Sequence, residues 1–240
     1  MPCDPEQGVD RGAYGEPMMA AVELPLFPLN VVLLPDMILP IHVFEPRYRE
    51  MMAFCLDADR RFGVCLIKEG VEVGGEATVF EVGTVAEITA ATLLDDGRMN
   101  IMTEGRERFR ILERSQDRPY PHGLIEMLDE PIGEPEQAEV QASQARAIAR
   151  RYVTLLLNQD DPATITVELP DDPLQVSYRV ANLLQQVNPA RSSEMQGLLE
   201  AVSAEERLRL EIGILGREYA ILEHMNLITA PKRKLYGNLN

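Results

Sequence analysis

Residues Pro25 to Tyr48 read PLFPLNVVLLPDMILPIHVFEPRY, and the reading of this stretch decides the fold. Its apolar content suits a core or a membrane, but five prolines, Pro25, Pro28, Pro35, Pro40 and Pro46, cut through it. Proline fixes φ, lacks an N–H and pushes its predecessor towards extended geometry. The stretch therefore predicts short extended pieces, LPLF, NVVLL and MILPIHVF, joined by corners. Such pieces suit edge strands at the seam of a small barrel or folded sheet. Asn30, Asp36 and His42 interrupt it as well, so it falls short of the ~18 uninterrupted apolar residues of a membrane span.

Working outward, PRYREMMAFCLDA places Pro46 at a helix's favoured first position, with Met51, Met52, Cys55 and Leu56 at helical spacing. One short helix is expected there. RFGVCLIK and VFEVGTVAEITAATLL read as strands, KEGVEVGGE as an exposed loop, and DDGR as an Asp-Gly hairpin turn. MNIMTEGRERFRILERS alternates, with Phe109 and Ile111 on one face and Arg106, Arg108 and Arg110 on the other. Glu104, Glu107 and Glu113 interleave with these arginines, which predicts neutralised pairs on a solvated face. Gly105 marks a bulge or sharp bend, and HGLIEMLDE closes the β half.

After the linker PIGEPEQ the periodicity becomes helical. AEVQASQARAIARRYVTLLLNQ is one long amphipathic helix. DDPLQVSYRVANLLQQV follows, with Asp172 as N-cap, and then the short SSEMQGLLEAV. Ser203-x-x-Glu206 is a capping box for a last helix. There Leu208, Ile212, Leu215, Tyr219 and Leu222 recur as a coiled-coil-like seam, expected to pack on the two preceding helices, with self-association as its other use. The fold class is α+β: a flexible N-terminal tail over 1–21, a β subdomain with one short helix over 22–130, a C-terminal helical bundle over 137–228 and a basic tail over 229–240.

The chain has 240 residues, 45% apolar and 26% charged, with 23 basic and 39 acidic side chains and a net charge of −16. That charge opposes nucleic-acid binding and favours a soluble surface. Three cysteines without C-x-x-C spacing predict buried thiols in a reduced, cytoplasmic protein. His42, His122 and His224 lie in separate elements, and no G-x-S-x-G, H-E-x-x-H or P-loop pattern occurs. Asp95–Asp96, Asp160–Asp161 and Asp171–Asp172 suit turns and caps better than acid–base chemistry. No catalytic residue, metal or cofactor is expected.

The composition stands out in one respect, with 11 methionines and no tryptophan. Met18, Met19, Met37, Met51 and Met52 lie in or near the proline-rich first quarter. Methionine fills core gaps, and it also lines surfaces that accept many apolar partners. Both uses remain open here.

LPLFPLNVVLLPDMILPIHVFEPRYREMM resembles the opening of the LON substrate-binding domain, the N-terminal domain of Lon proteases. IKEGVEVGGEATVFEVGTVAEI, DDGRMNIMTEGRERFRI and YPHGLIEML follow in the same order, so the resemblance spans about Glu23 to Leu128. It implies a PUA-like β-barrel followed by a helical bundle. It also implies recognition of polypeptide substrates, in particular exposed apolar segments of unfolded chains. Full Lon proteases continue into ATPase and Ser–Lys peptidase modules, whereas this sequence is similar to the stand-alone LON-domain proteins of bacteria. A non-enzymatic polypeptide-binding module is the resulting expectation. Its groove would be lined by Met37, Phe44, Tyr48 and Met51, with Arg47 at the rim. Two alternatives are an RNA-binding protein, since PUA-like barrels elsewhere bind RNA, and an adaptor docking on a protease or on itself through the last helix.

Overall fold

The computed structural model describes residues 21–72, 77–157 and 168–229. The N-terminal segment with Met18 and Met19, the Asp160–Asp161 pair and the basic tail lie outside them. Seven strands come first: β1 (Val22–Leu29), β2 (Ile38–Val43), β3 (Arg61–Gly70), β4 (Ala77–Val79), β5 (Val82–Leu93), β6 (Met99–Ser115) and β7 (His122–Met127). Helix α1 (Pro46–Asp57) lies between β2 and β3. Four helices follow: α2 (Pro135–Leu156), α3 (Pro173–Val187), α4 (Ser192–Glu200) and α5 (Ala204–Thr229).

The strand order β1-β7-β6-β5-β3 closes on itself, because β1 also pairs with β3 in parallel. β1 is thus the closing strand of a barrel. Its first half, Val22 to Pro25, pairs with β7, and its second half, Leu26 to Leu29, pairs with β3. Each half uses one edge, so the N–H missing at Pro25 or Pro28 costs no ladder bond. β2 carries Pro40 and pairs with β6 alone among the described residues, as expected of an edge strand.

NVVLL is not a strand. Residues 30–37 form an irregular segment, buried from Val32 to Pro35, in which Val32 and Leu34 join the helical core while Leu33 joins the barrel core. The run is apolar and β-branched enough for a strand, but it has no ladder partner among the described residues and is wedged between two cores instead. Its backbone groups are satisfied individually. Asp36, at φ 60°, donates to the Gly105 carbonyl at 2.9 Å, and the Gly105 N–H donates to the Met37 carbonyl at 2.9 Å. Thr84 Oγ1 and Asn182 Nδ2 donate to the Leu33 and Pro35 carbonyls at 2.6 and 3.0 Å. A Cβ on Gly105 would stand 2.1 Å from the Leu34 carbonyl oxygen, so this crossing requires glycine. The β5–β6 register also shifts there, giving the bulge expected at Gly105.

The interior of the barrel is filled around Phe109, Val85, Ile111 and Ile125. A second core joins α1 to the barrel through Met51, Met52, Cys55, Phe62 and Ile101. In the helical half, α5 lies chiefly along α2 and also meets α3 and α4. Ala138, Ala142, Ala145 and Ala149 of α2 are fully buried, small enough to let neighbouring helices approach closely. Leu208 and Leu215 of the α5 seam are buried, and Ile212, Tyr219 and Leu222 pack partly into the same core. Asp172 caps α3, its carboxylate accepting from the Gln175 N–H at 2.9 Å. At the start of α5, Ser203 Oγ accepts from the Glu206 N–H, but the Glu206 carboxylate reaches the N–H of Val202 instead of Ser203.

The linker is shorter than expected. α2 begins at Pro135, and Pro131 and Ile132 accept from the Ala204 and Glu205 N–H groups, pinning the connection to α5. Arg108 also departs from the solvated face assigned to the arginine row. Arg106 pairs with Glu87 and Glu104 and Arg110 with Glu126, as expected. Arg108 points outward like them, yet outward at that point means into the helical bundle. It is buried, donating to the carbonyls of Leu199, Ala201 and Asp129 and to the Glu130 carboxylate.

Candidate functional site

The five expected groove residues do not all reach a surface. α1 starts at Pro46, and the Glu45 carbonyl accepts the Tyr48 and Arg49 N–H groups, so the helix turns one fixed face towards the barrel. Tyr48, Met51, Met52 and Cys55 occupy that face. Met51 has no exposed surface and lies in the core beneath the expected groove. Tyr48 is 4% exposed and stacks on Phe27 with ring centroids 4.2 Å apart. Burial raises its phenol pKa, with the Arg47 charge opposing. Met37 is half-buried where the two cores meet. Arg47 is half-buried, bonded to Glu45 at 3.0–3.1 Å, and its guanidinium lies 4.6 Å from the Tyr48 ring centre. Phe44 is the large apolar member of the five that faces solvent.

Phe44, Tyr48, Phe27, Val31 and Ile41 border a cleft of about 210 Å³ at the edge of β2 that has no strand partner among the described residues. Its size suits an apolar side chain better than a cofactor, whose pockets run from about 300 Å³ upward. Around the corner, β2, β6 and the end of β5 form a sheet in which Pro40 faces Met102 and Met102 faces Ala90. Side chains two apart share a face. Ile38, Pro40 and Met102 therefore form one outer apolar surface, while Ile101 and Val43 point into the barrel–α1 core. Ile38 is 63% and Met102 40% exposed. Sequence reading missed this surface because every β2 residue looked equally apolar; the Pro40–Met102 pairing separates its two faces.

His42 Nδ1 lies 2.6 Å from Asn100 Oδ1, and its ring stacks near Phe44. His122 Nε2 faces Asp117 and Glu23 at 2.9 and 3.3 Å. His224 is on α5, far along the chain from both. Among the described residues, no three His, Cys, Asp or Glu side chains converge to hold a metal ion. No described helix is long and apolar enough to cross a membrane.

The sequence model of the ATP-dependent protease La (LON) substrate-binding domain matches residues 23–217. The chain belongs to this family. Among its relatives, Lon protease of Escherichia coli strain K12 is 27% identical over 206 residues, covering 84% of this chain and 26% of that protein. Lon protease of Anaeromyxobacter dehalogenans is 27% identical over 224 residues, covering 90% of this chain and 26% of that protein. The chain thus spans about a quarter of the length of these curated relatives. The crystal structure of a Lon N-terminal domain protein from Xanthomonas campestris superposes with a TM-score of 0.57 at 26% identity, covering 80% of this chain and 98% of that one. The N-terminal domain of a Mycobacterium avium complex Lon protease gives 0.60 at 16% identity, over 81% and 98%. In this LON domain, as in those structures, a β-rich part is joined to a helical one.

Proposed function

We propose that this LON domain is a non-enzymatic polypeptide-binding module that holds exposed apolar segments of unfolded chains against β2 and the start of α1. One observation carries the reading. Ile38, Phe44 and Met102 are 63%, 45% and 40% exposed beside a cleft and a strand edge without a ladder partner among the described residues. Exposed apolar side chains grouped in this way mark interaction surfaces. An unpaired strand edge offers backbone hydrogen bonds to any extended chain, with side-chain pockets supplying selectivity. The family's description as a substrate-binding domain supports the same use. Met37, Arg47, Tyr48 and Met51 then act as rim and floor: Arg47 and Tyr48 hold the helix start, and Met51 supports it from below.

The test is the affinity of the chain for a reduced, permanently unfolded test protein and for its native form. Preferential capture of the unfolded form is expected, and Phe44→Ser together with Ile38→Ser should weaken it about tenfold or more. Equal indifference to both forms would remove the reading.

A further inference from the structure

A second cleft of about 590 Å³ opens on the other side of Tyr48. Its walls come from the ends of β1, β3 and β4 and from the β6–β7 connection. Three arginines line it, Arg47, Arg114 and Arg118, together with Glu69 and His122. The carboxylates that hold two of these arginines, Glu45 for Arg47 and Glu23 for Arg118, are not part of the lining. Arg114 differs from both. It is exposed, donates Nη2 to the Val79 carbonyl at 2.6 Å, and makes no ion pair among the described residues. A guanidinium carries five N–H donors in a planar fork that matches a carboxylate, so one backbone bond orients it without exhausting it. Tyr120, Pro28 and Leu26 add apolar surface to a wall that also holds Thr78, Ser115 and Gln116.

We propose that this cleft receives a carboxylate carried by an otherwise apolar polypeptide segment, with Arg114 as its principal contact. The inference rests on the polypeptide-binding reading and deepens it. Tyr48 borders both clefts, so one extended chain can set apolar side chains at Phe44 and an acidic group at Arg114. Arg47 and Arg118 are neutralised by Glu45 and Glu23, so among the described residues Arg114 is the lining cation left to select apolar segments that carry an acid.

The probe is a dye-labelled, C-terminally amidated octapeptide, Leu-Ile-Ala-Leu-Glu-Leu-Ala-Ile, against the same peptide with Gln for Glu and against the Gln peptide with a free C-terminus. Anisotropy titrations use the full chain at low salt. The Glu peptide should bind about tenfold tighter than the amidated Gln peptide, an advantage that shrinks as salt rises. The free-terminus Gln peptide tells whether a terminal carboxylate serves as well as a side-chain one. Arg114→Gln should erase the preference, and Arg114→Lys, with charge but no fork, should keep part of it. Equal affinity for Glu and Gln peptides, or a preference that survives Arg114→Gln in a variant with native circular dichroism, would overturn the assignment. Failure of every peptide to bind would defeat the polypeptide reading itself, a different outcome from binding without preference.

Discussion

Arg207 and Glu211 stand one turn apart on α5, both without exposed surface, and only the arginine is bonded. Arg207 donates to the Leu198 carbonyl at 3.0 Å and to Ser177 Oγ at 2.9 Å, and lies 4.0 Å from the Tyr178 ring centre. Neither Glu211 oxygen has a hydrogen-bond partner among the described residues. Burial pushes the Glu211 carboxyl well above its ordinary value of 4.5, against the opposing charge of Arg207. Between pH 4.5 and that raised value the folded state holds a proton that the unfolded chain has released. Stability from this group is therefore full below pH 4.5 and is lost as pH rises through the folded value.

Glu211→Leu should remove that slope. Urea unfolding near neutral pH is expected to show a gain of about 1–3 kcal/mol over the parent, the cost of an unsatisfied buried polar group. The gain should narrow as pH falls towards 4.5.

Glycines should respond in opposite directions. Gly105→Ala would press a methyl group 2.1 Å from the Leu34 carbonyl, a clash with backbone that cannot rotate away. A loss of about 2–3 kcal/mol is expected. Gly197→Ala, on α4 with nothing within 4 Å, should instead raise stability by about 0.5–1 kcal/mol. Denaturant midpoints of the two variants check both signs.

Arg108 ties the barrel to the bundle. Arg108→Ala leaves the Leu199 and Ala201 carbonyls and Glu130 without this donor, and should cost about 2–4 kcal/mol. Arg108→Lys should not restore it, since a point charge cannot serve these separated acceptors as a fork does. Tyrosine fluorescence and far-ultraviolet circular dichroism, followed together during unfolding, would measure the loss.

Burial pushes the Cys55 and Cys65 thiols from 9.0 up to about 12, with Asp59 adding to the effect at Cys55. That lowers their thiolate fraction about a thousandfold. In a Cys3→Ser chain, a disulfide reagent should label neither thiol in the folded protein and both after unfolding. Rapid labelling of the native chain would contradict the packing of the two barrel cores.

Much of the fold was legible from local chemistry. Pro46 opens α1, Asp172 caps α3, Asp96-Gly97 turns the β5–β6 hairpin with Gly97 at φ 80°, and the seam of α5 faces the bundle. Each rests on contacts within a few residues, where sequence order and spatial order coincide. The site was less legible. Of the expected groove residues Phe44 reaches solvent, but Met51 and Tyr48 are buried, and the exposed Ile38 and Met102 were not singled out. Apolar residues look alike until strand pairing shows which of two faces is covered.

Proline spacing and helical periodicity were enough to predict a β half followed by a helical bundle, because backbone preference is a local property; the barrel was implied by the resemblance to the LON blocks. Only the tertiary structure decided that NVVLL would be a wedge, that Arg108 would be buried while Arg106 stays partly exposed, and that a chain of −16 would gather three arginines in one cleft. Those outcomes depend on which distant segment lies opposite each side chain, and no pattern along the chain records that.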